Sequence, residues 1–306
     1  MKQTTKNIVW LAILLGMGSI GLSTEPFAVG PYLGQTPPGH SAQVFAPGLI
    51  CRIGYRRWES NGTFSADGKV FCYKQRRKVY ITENTDQGWT VPMHIKSIPA
   101  NNWSPYLSPD ANSIYFSLAY LNQTKPFNGF NLFCCNRTPN GWARPEDLRP
   151  PLSSSGAEWG FSLAADNSFY FSSTRKGGFG GDDLWHAPFV DNTWSQAIHL
   201  SALNTRYNDA GPGIAPDESF MVFNSIKPGG LGGADQYLTL READGTWTTP
   251  KNLGAGINSI YHDYCAHITA DKKYLFFTRR TGGNPSRDAA DIYWVALKEY
   301  LPESYR

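Results

Sequence analysis

The sequence predicts an all-β protein, a five-bladed β-propeller built from four-stranded antiparallel blades. Two periodic features predict this fold. Aspartates that begin turns recur ahead of similar apolar strands, and tryptophans recur at nearly constant spacing. The turn aspartates are Asp67, Asp110, Asp166, Asp217 and Asp271, and the tryptophans are Trp89, Trp142, Trp194 and Trp247, at spacings of 53, 52 and 53 residues. The 30 glycines and 21 prolines also suit many short strands joined by turns.

Residues 158–198 contain one complete copy of the repeat. Glu158 opens a short strand, and a turn at Asp166 reverses the chain into a second strand at 169–173. A glycine-rich loop at 177–182 follows, and it leads into a strand rather than a helix, so we interpret it as a tight turn and not as a phosphate site. The third strand is predicted at 184–188 and the fourth near Trp194. Four strands in this length form one propeller blade.

The number of motifs predicts how the ring closes. Five aspartate turns are present, but only four tryptophans mark a fourth strand, so the last blade lacks one strand. Residues 42–51 precede the first repeat and have no blade of their own. We therefore expect them to supply the outer strand of the blade that contains residues 291–295, which removes an unpaired sheet edge. A six-bladed ring is the alternative.

The first residues have the layout of a secretory leader. Lys2 and Lys6 precede an apolar run at 8–20, and small residues follow it. The run is short for a membrane span, so we expect cleavage near residues 21–23 and a periplasmic or secreted protein, with an uncleaved anchor as the alternative. The predicted division is a leader at 1–23, an N-terminal extension at 24–41, the propeller at 42–298 and a tail at 299–306.

Charge and cysteine content exclude several classes of function. The formal net charge is +3, so no nucleic-acid partner is expected, and the basic groups Arg56–Arg57 and 75–78 are interpreted as solvated loops or as a local patch for a polyanion. The five cysteines show no Cys-x-x-Cys spacing, which gives a zinc site no support. Neither a metal nor a cofactor is expected, and the protein is expected to be a monomer.

Several motifs resemble those of a known repeat family. Residues 108–117 read Ser-Pro-Asp-Ala-Asn-Ser-Ile-Tyr-Phe-Ser, residues 215–218 read Ala-Pro-Asp-Glu, residues 229–235 form a glycine-rich loop ending in Asp, and residues 291–294 read Asp-Ile-Tyr-Trp. This pattern resembles the WD40-like (PD40) propeller repeat of TolB-related bacterial exported proteins, over residues 42–296. The resemblance implies the propeller fold and does not specify a function, because such propellers serve as binding platforms and as scaffolds for unrelated enzymes.

Reading across the repeats identifies a candidate site. Eight positions before each turn aspartate stand Glu59, Asn102, Glu158, Asp209 and Asp263. These residues open the innermost strands, which line the central channel, and the loops between second and third strands lie at the same mouth. The basic residues expected there are Arg175, Lys227 and Arg279, and the aromatic residues that follow the acidic positions are Trp103, Trp159 and Tyr264. Together they form the predicted ligand-binding set.

Two interpretations of the carboxylates remain open. They could accept backbone N–H bonds from the blade connections, which would explain their repetition, or they could bind a sugar or peptide together with the aromatic rings. Three function classes follow. The first is an extracytoplasmic protein that binds a glycan, peptide or partner protein at the mouth. The second is a carbohydrate-active hydrolase or lyase that uses two of the carboxylates, and the third is a TolB-like assembly scaffold.

Overall fold

A computed structural model of the chain describes residues 26–52, 58–119, 129–282 and 289–306. Five small antiparallel sheets are arranged in a ring, which confirms the predicted five-bladed propeller. The predicted leader at 1–23 and the pair Arg56–Arg57 lie outside the described residues. Within the described part of the chain, no helix has the length and apolar character needed to cross a membrane.

The strands are short and follow one another around the ring. In chain order they are β1 (Gln43–Val44), β2 (Glu59–Phe64), β3 (Val70–Gln75), β4 (Lys78–Thr85), β5 (Gly88–Trp89), β6 (Met93–His94), β7 (Asn102–Leu107), β8 (Ser113–Ala119), β9 (Phe130–Thr138), β10 (Gly141–Trp142), β11 (Glu146–Asp147), β12 (Glu158–Leu163), β13 (Phe169–Ser173), β14 (Asp183–Ala187), β15 (Phe189–Val190), β16 (Thr193–Trp194), β17 (Ile198–His199), β18 (Asp209–Ile214), β19 (Phe220–Ser225), β20 (Asp235–Leu240), β21 (Lys251–Asn252), β22 (His262–Ile268), β23 (Tyr274–Thr281) and β24 (Ala289–Ala296). Two single turns complete the assignment, α1 (Pro31–Gly34) and a 3-10 turn at Glu303–Tyr305.

Each blade runs outward from its innermost strand. The order from inside to outside is β2-β3-β4-β6 in blade 1, β7-β8-β9-β11 in blade 2, β12-β13-β14-β17 in blade 3 and β18-β19-β20-β21 in blade 4. Blade 5 is β22-β23-β24-β1. The innermost strands therefore surround the axis, and their first residues all lie at the same end of the ring.

The N-terminal segment closes the last blade, as predicted. Gln43 pairs with Trp294, and the N–H of Phe45 donates to the carbonyl of Ile292 at 2.8 Å. The strand covers only Gln43–Val44 of the predicted 42–51, because Ala46 has a φ of 44° and turns the chain away from the sheet. Phe45 is fully buried in the core that blades 5 and 1 share.

The tryptophans that were expected to mark the fourth strands lie just before them. Trp89 belongs to β5, which forms a tight hairpin with the end of β4, and the outer strand β6 begins at Met93. Trp194 in β16 likewise pairs with Phe189 in β15, ahead of the outer strand β17. The chain must reverse in this hairpin before it can pair with the third strand, so the repeated tryptophan marks the reversal.

A bulge recurs in every innermost strand, two residues after Glu59, Asn102, Glu158, Asp209 and Asp263. The pairing between innermost and second strands shifts register there in all five blades. The bulge residues are Asn61, Ser104, Gly160, Gly211 and Cys265, with φ between 48° and 60°. All five line one narrow void of about 20 Å³ on the axis, which we call the neck. The bulge thus brings the five strands together at the centre of the ring.

Side chains two residues beyond the bulge join neighbouring blades. In three seams the backbone of one innermost strand donates to a side chain of the preceding blade. These bonds are Leu107 N–H to Thr63 Oγ1 at 3.1 Å, Ile214 N–H to Ser162 Oγ at 2.9 Å and Phe64 N–H to His267 Nε2 at 3.0 Å. Each of these backbone N–H groups points towards the neighbouring blade, so the side chain there supplies its acceptor. The bonds therefore hold adjacent blades together near the axis.

Candidate functional site

A cavity of about 370 Å³ opens at the end of the ring where the innermost strands begin. We call it the mouth cavity. Its walls include Trp103, Trp159, Asp182, Asn208, Asn224 and Tyr264, which come from four of the five blades, and its floor includes Gly211 and Cys265. The neck lies beneath this floor, so the mouth cavity is a cup that a ligand enters from one end.

The three aromatic residues predicted from sequence all line the mouth cavity. Trp103 is 49% exposed although it is a large apolar side chain. Phe130 contacts both indoles, with ring centroids 6.1 Å from Trp103 and 5.0 Å from Trp159. Trp159 also donates from Nε1 to Asp182 Oδ1 at 2.6 Å. These contacts hold two indoles in a preorganised wall, while Tyr264 lies on blade 5.

The predicted carboxylates and Asn102 are buried and do not line the mouth cavity. Glu59, Asn102, Glu158, Asp209 and Asp263 are each 1% exposed or less. In three blades the carboxylate accepts hydrogen bonds from a serine or threonine four residues earlier, in the connection that enters the blade. These pairs, which we call the clasps, are Ser154–Glu158, Thr205–Asp209 and Ser259–Asp263.

Basic residues complete two of the clasps. Arg279 donates from Nε to Asp263 Oδ1 at 2.6 Å and from Nη2 to the carbonyl of Ile257 at 2.6 Å. Arg175 approaches Glu158 Oε1 at 3.4 Å and donates to the carbonyl of Leu152. Each arginine therefore ties the carboxylate of its own blade to the connection that precedes it.

Lys227 occupies the corresponding place in blade 4. Its Nζ lies 4.0 Å from the centre of the Tyr237 ring. Burial lowers the pKa of Lys227, and the negative charge of Asp209 opposes that shift. None of Arg175, Lys227 and Arg279 lines the mouth cavity.

The clasp environment sets the ionisation of these acids. Burial raises the pKa of Glu158, Asp209 and Asp263, and the hydrogen bonds from the clasp serines and threonine oppose this shift in each case. Burial likewise raises the pKa of Glu59. Among the described residues that line the mouth cavity, Asp182 is the only carboxylate. The cavity wall thus lacks, in the described part of the chain, the two carboxylates that glycoside hydrolysis ordinarily uses.

Several polar residues of the cavity wall are absent from the predicted ligand-binding set, among them Asp182, Asn208 and Asn224. Asp182 ends the glycine-rich loop of blade 3, Asn208 directly precedes the clasp acid Asp209, and Asn224 lies on β19. Comparison of the blades indicates that Asn224 is unusual. It pairs with Ala210 across the two innermost strands of blade 4, and the corresponding partners of Trp103 and Trp159 are Ser117 and Ser172. Blade 5 also has a small hydroxyl there, Thr278, while blade 1 has Lys74, so the amide of Asn224 departs from the hydroxyl that three of the five blades carry.

The glycine-rich loops fold around an aspartate at the start of the third strand. Asp183 accepts the N–H of Phe179 at 2.7 Å, and Asp235 accepts the N–H of Leu231 at 2.5 Å. A Cβ on Gly178 would lie 1.8 Å from Asp183 Oδ2, so only glycine leaves room for the carboxylate. The loop is therefore a turn filled by its own aspartate, in agreement with the interpretation from sequence.

Comparisons with known proteins identify the fold and no family. No family model matches the chain, and no curated protein matches its sequence. The native arabinanase of Bacillus subtilis is 10% identical with a TM-score of 0.51, over 81% of this chain and 98% of that chain. The α-L-arabinofuranosidase of Lactobacillus brevis is 11% identical with a TM-score of 0.50, over 77% and 90%. The structure assigned as TolB from Agrobacterium tumefaciens is 16% identical with a TM-score of 0.49, over 75% and 72%. At these identities the likeness describes the fold alone.

Proposed function

We propose that the protein is an extracytoplasmic β-propeller binding protein that holds the end of a glycan, a peptide or a segment of a partner protein in the mouth cavity. The observation that carries this proposal is the pair of indoles, Trp103 and Trp159, held against an open cavity by Phe130. Export is part of the proposal and is supported by the leader-like residues 1–23.

Ligand binding explains the exposed aromatic wall better than a role in stabilising the fold does. Burying a tryptophan is strongly favourable, yet Trp103 leaves 49% of its surface in water. Exposed apolar surface that is concave, rigid and rimmed by polar groups is typical of ligand sites. Because Phe130 and Asp182 already orient the indoles, a ligand would lose little free energy in ordering them.

The clasps favour binding over the hydrolase alternative. Their carboxylates already accept hydrogen bonds from the protein, and they lie outside the cavity wall. A hydrolase would require a second carboxylate near Asp182. The TolB-like scaffold alternative would instead act through the rim or the outer surface, so its function would be insensitive to changes inside the cavity.

Equilibrium binding with cavity variants tests the proposal. The purified protein is screened by calorimetry and ligand-observed NMR against neutral saccharides, short peptides and nucleosides. The variant Trp103→Ala removes part of the cavity wall, and Trp142→Ala is the matched control because Trp142 lies on the outer hairpin of the same blade. The proposal predicts at least one ligand whose affinity falls about tenfold or more in Trp103→Ala, a change of about 1.4 kcal/mol, and stays within about twofold in Trp142→Ala. Equal affinity in both variants would place binding elsewhere and refute the mouth site.

A further inference from the structure

The mouth cavity contains an amide, that of Asn224, to which none of the described residues forms a hydrogen bond. Asn224 is only 7% exposed and lines the cavity, yet its side chain forms no hydrogen bond within the described residues. Gly211 makes room for it, since a Cβ there would lie 2.4 Å from Asn224 Oδ1. The amide faces the cavity, where water can bind it, and a ligand hydroxyl that enters can replace that water as its hydrogen-bond partner.

Two further groups beside Asn224 are only partly satisfied. Asp182 Oδ1 accepts the Trp159 indole N–H, but Oδ2 accepts no hydrogen bond from the described residues. Asn208 Oδ1 accepts the N–H of Asp182 at 3.2 Å, and its Nδ2 likewise has no partner there. The cavity thus presents carboxylate and amide groups that can together accept and donate hydrogen bonds.

The aromatic wall and the hydrogen-bonding groups of the cup meet where Trp159 bonds Asp182. The residue that follows the strand-opening position is Trp103 in blade 2 and Trp159 in blade 3, whereas in blade 4 it is the small Ala210. Ala210 has only a methyl side chain and pairs with Asn224 of the same blade. Because this methyl group does not cover the amide, Asn224 faces the cavity. The indoles of blades 2 and 3 therefore supply an apolar wall, and Asp182, bonded to Trp159, begins a row of hydrogen-bonding groups that continues with Asn208 and Asn224.

We propose that the mouth cavity takes a neutral saccharide unit, an inference that rests on the proposed function and specifies its ligand. A sugar ring has an apolar C–H face that packs on an indole and a rim of hydroxyls that each donate and accept. Hydroxyls match both Asp182 Oδ2, which only accepts while ionised, and the amides of Asn208 and Asn224, which do both. The volume of about 370 Å³ lies at the small end of the range of about 300–1,000 Å³ for small-molecule pockets.

The Asp182 carboxylate disfavours an anionic group placed directly against it. Burial raises the pKa of Asp182, the charge of Asp183 adds to the shift, and the Trp159 N–H bond opposes it. When ionised, Asp182 repels phosphate or carboxylate groups. Two basic side chains near the cavity lie over aromatic rings: the Arg280 guanidinium lies 5.6 Å from the centre of the Trp58 ring, and Lys74 Nζ lies 4.7 Å from the centre of the Trp103 ring. A neutral polyhydroxylated ligand avoids this repulsion and uses the carboxylate as an acceptor.

Calorimetric titration with defined sugars tests the inference. The probes are neutral pentoses, hexoses and their disaccharides, with dipeptides and nucleosides as the other classes. Asn224→Ala should weaken saccharide binding about tenfold or more, because the ligand hydroxyls lose their buried partner. Its thermal unfolding should hardly change, because the amide holds no protein group. Asn112→Ala is the control, since the Asn112 side chain bonds Asp110 within its own turn, away from the cavity.

The outcomes separate this inference from the proposed function. Saccharide binding that is lost in Asn224→Ala and in Trp103→Ala supports both. Suppose instead that a dipeptide or nucleoside binds, that no sugar binds, and that Trp103→Ala abolishes this binding. That result overturns the saccharide inference, but it supports the mouth cavity as the binding site. Saccharide binding that neither variant weakens overturns both. The absence of binding by every neutral sugar at millimolar concentration also overturns the saccharide inference.

Discussion

The backbone N–H of Phe64 donates a hydrogen bond to Nε2 of His267 across 3.0 Å, and this bond joins the last blade to the first. His267 is buried, with its ring against Tyr106 and Phe276 at centroid distances of 5.8 and 6.4 Å. Burial lowers the pKa of His267 to about 3. The imidazole is therefore neutral in the folded protein, as an acceptor at Nε2 must be.

This bond predicts a loss of stability in acid. Below the unfolded-state pKa of about 6.5 the unfolded chain takes up a proton that the folded chain excludes, so the contribution of His267 falls by about 1.4 kcal/mol per pH unit towards pH 3. His267→Gln keeps an acceptor and does not titrate. The stability advantage of the native protein over this variant should shrink by about 2 kcal/mol between pH 7 and pH 5, measured by urea unfolding. A difference that does not vary with pH would contradict the assignment.

Ring closure predicts that one N-terminal side chain supports the whole fold. Phe45 is fully buried and packs against Phe64 of blade 1 and Phe276 and Trp294 of blade 5. Phe45→Ala should lower the free energy of unfolding by about 3 to 5 kcal/mol in a single cooperative transition. Val91→Ala, at a side chain that is 73% exposed, should change it by less than about 0.5 kcal/mol. Calorimetry that shows no effect of Phe45→Ala would refute the closure.

The glycine-rich loop of blade 3 predicts a local steric effect. Gly178→Ala should displace the Asp183 carboxylate, break its bond to Phe179 and lower the free energy of unfolding by about 1 to 3 kcal/mol. Gly39→Ala is the matched control, since nothing lies within 4 Å of a Cβ there and its φ is not positive. Denaturant unfolding compares the two. Equal stability in both variants would mean that the aspartate does not organise the loop.

Much of the fold follows from local sequence signals. The turn aspartates form the expected local bonds, as in Asp166 Oδ1 accepting the N–H of Ser168 at 2.8 Å, and each of them requires only adjacent residues. The count of repeats was enough to predict closure by residues near Gln43. Strand bounds were less accurate, because the hairpin at Trp194 precedes the outer strand rather than forming it.

The site was harder to predict, because it depends on how neighbouring blades meet. Sequence order brings Glu158 and Trp159 to the mouth together, and only the fold shows that one is buried in a clasp while the other lines the cavity. The clasps could have been recognised from a local pattern, the serine or threonine four residues before Glu158, Asp209 and Asp263. The approach of Asn208 and Asn224 to Trp159 joins residues from two blades, so no spacing within one repeat indicates it.

Glu158 and Trp159 are adjacent in the chain, but one belongs to a clasp and the other lines the mouth cavity. Glu158→Ala should lower the free energy of unfolding by about 3 to 5 kcal/mol, because it leaves Arg175 and two serine hydroxyls without their partner. The fraction that remains folded should bind ligand with nearly native affinity. Trp159→Ala should leave the fold largely stable and weaken binding about tenfold or more.

The most direct test is to measure both quantities on both variants, using the ligand found in the screen. The dissociation constant comes from calorimetry at low temperature, and the free energy of unfolding comes from urea titration of the same samples. We predict that Glu158→Ala loses stability and keeps affinity, while Trp159→Ala loses affinity and keeps most of its stability. A Glu158→Ala protein that keeps its stability but no longer binds would contradict the account, because the carboxylate would then belong to the ligand site and not to a clasp.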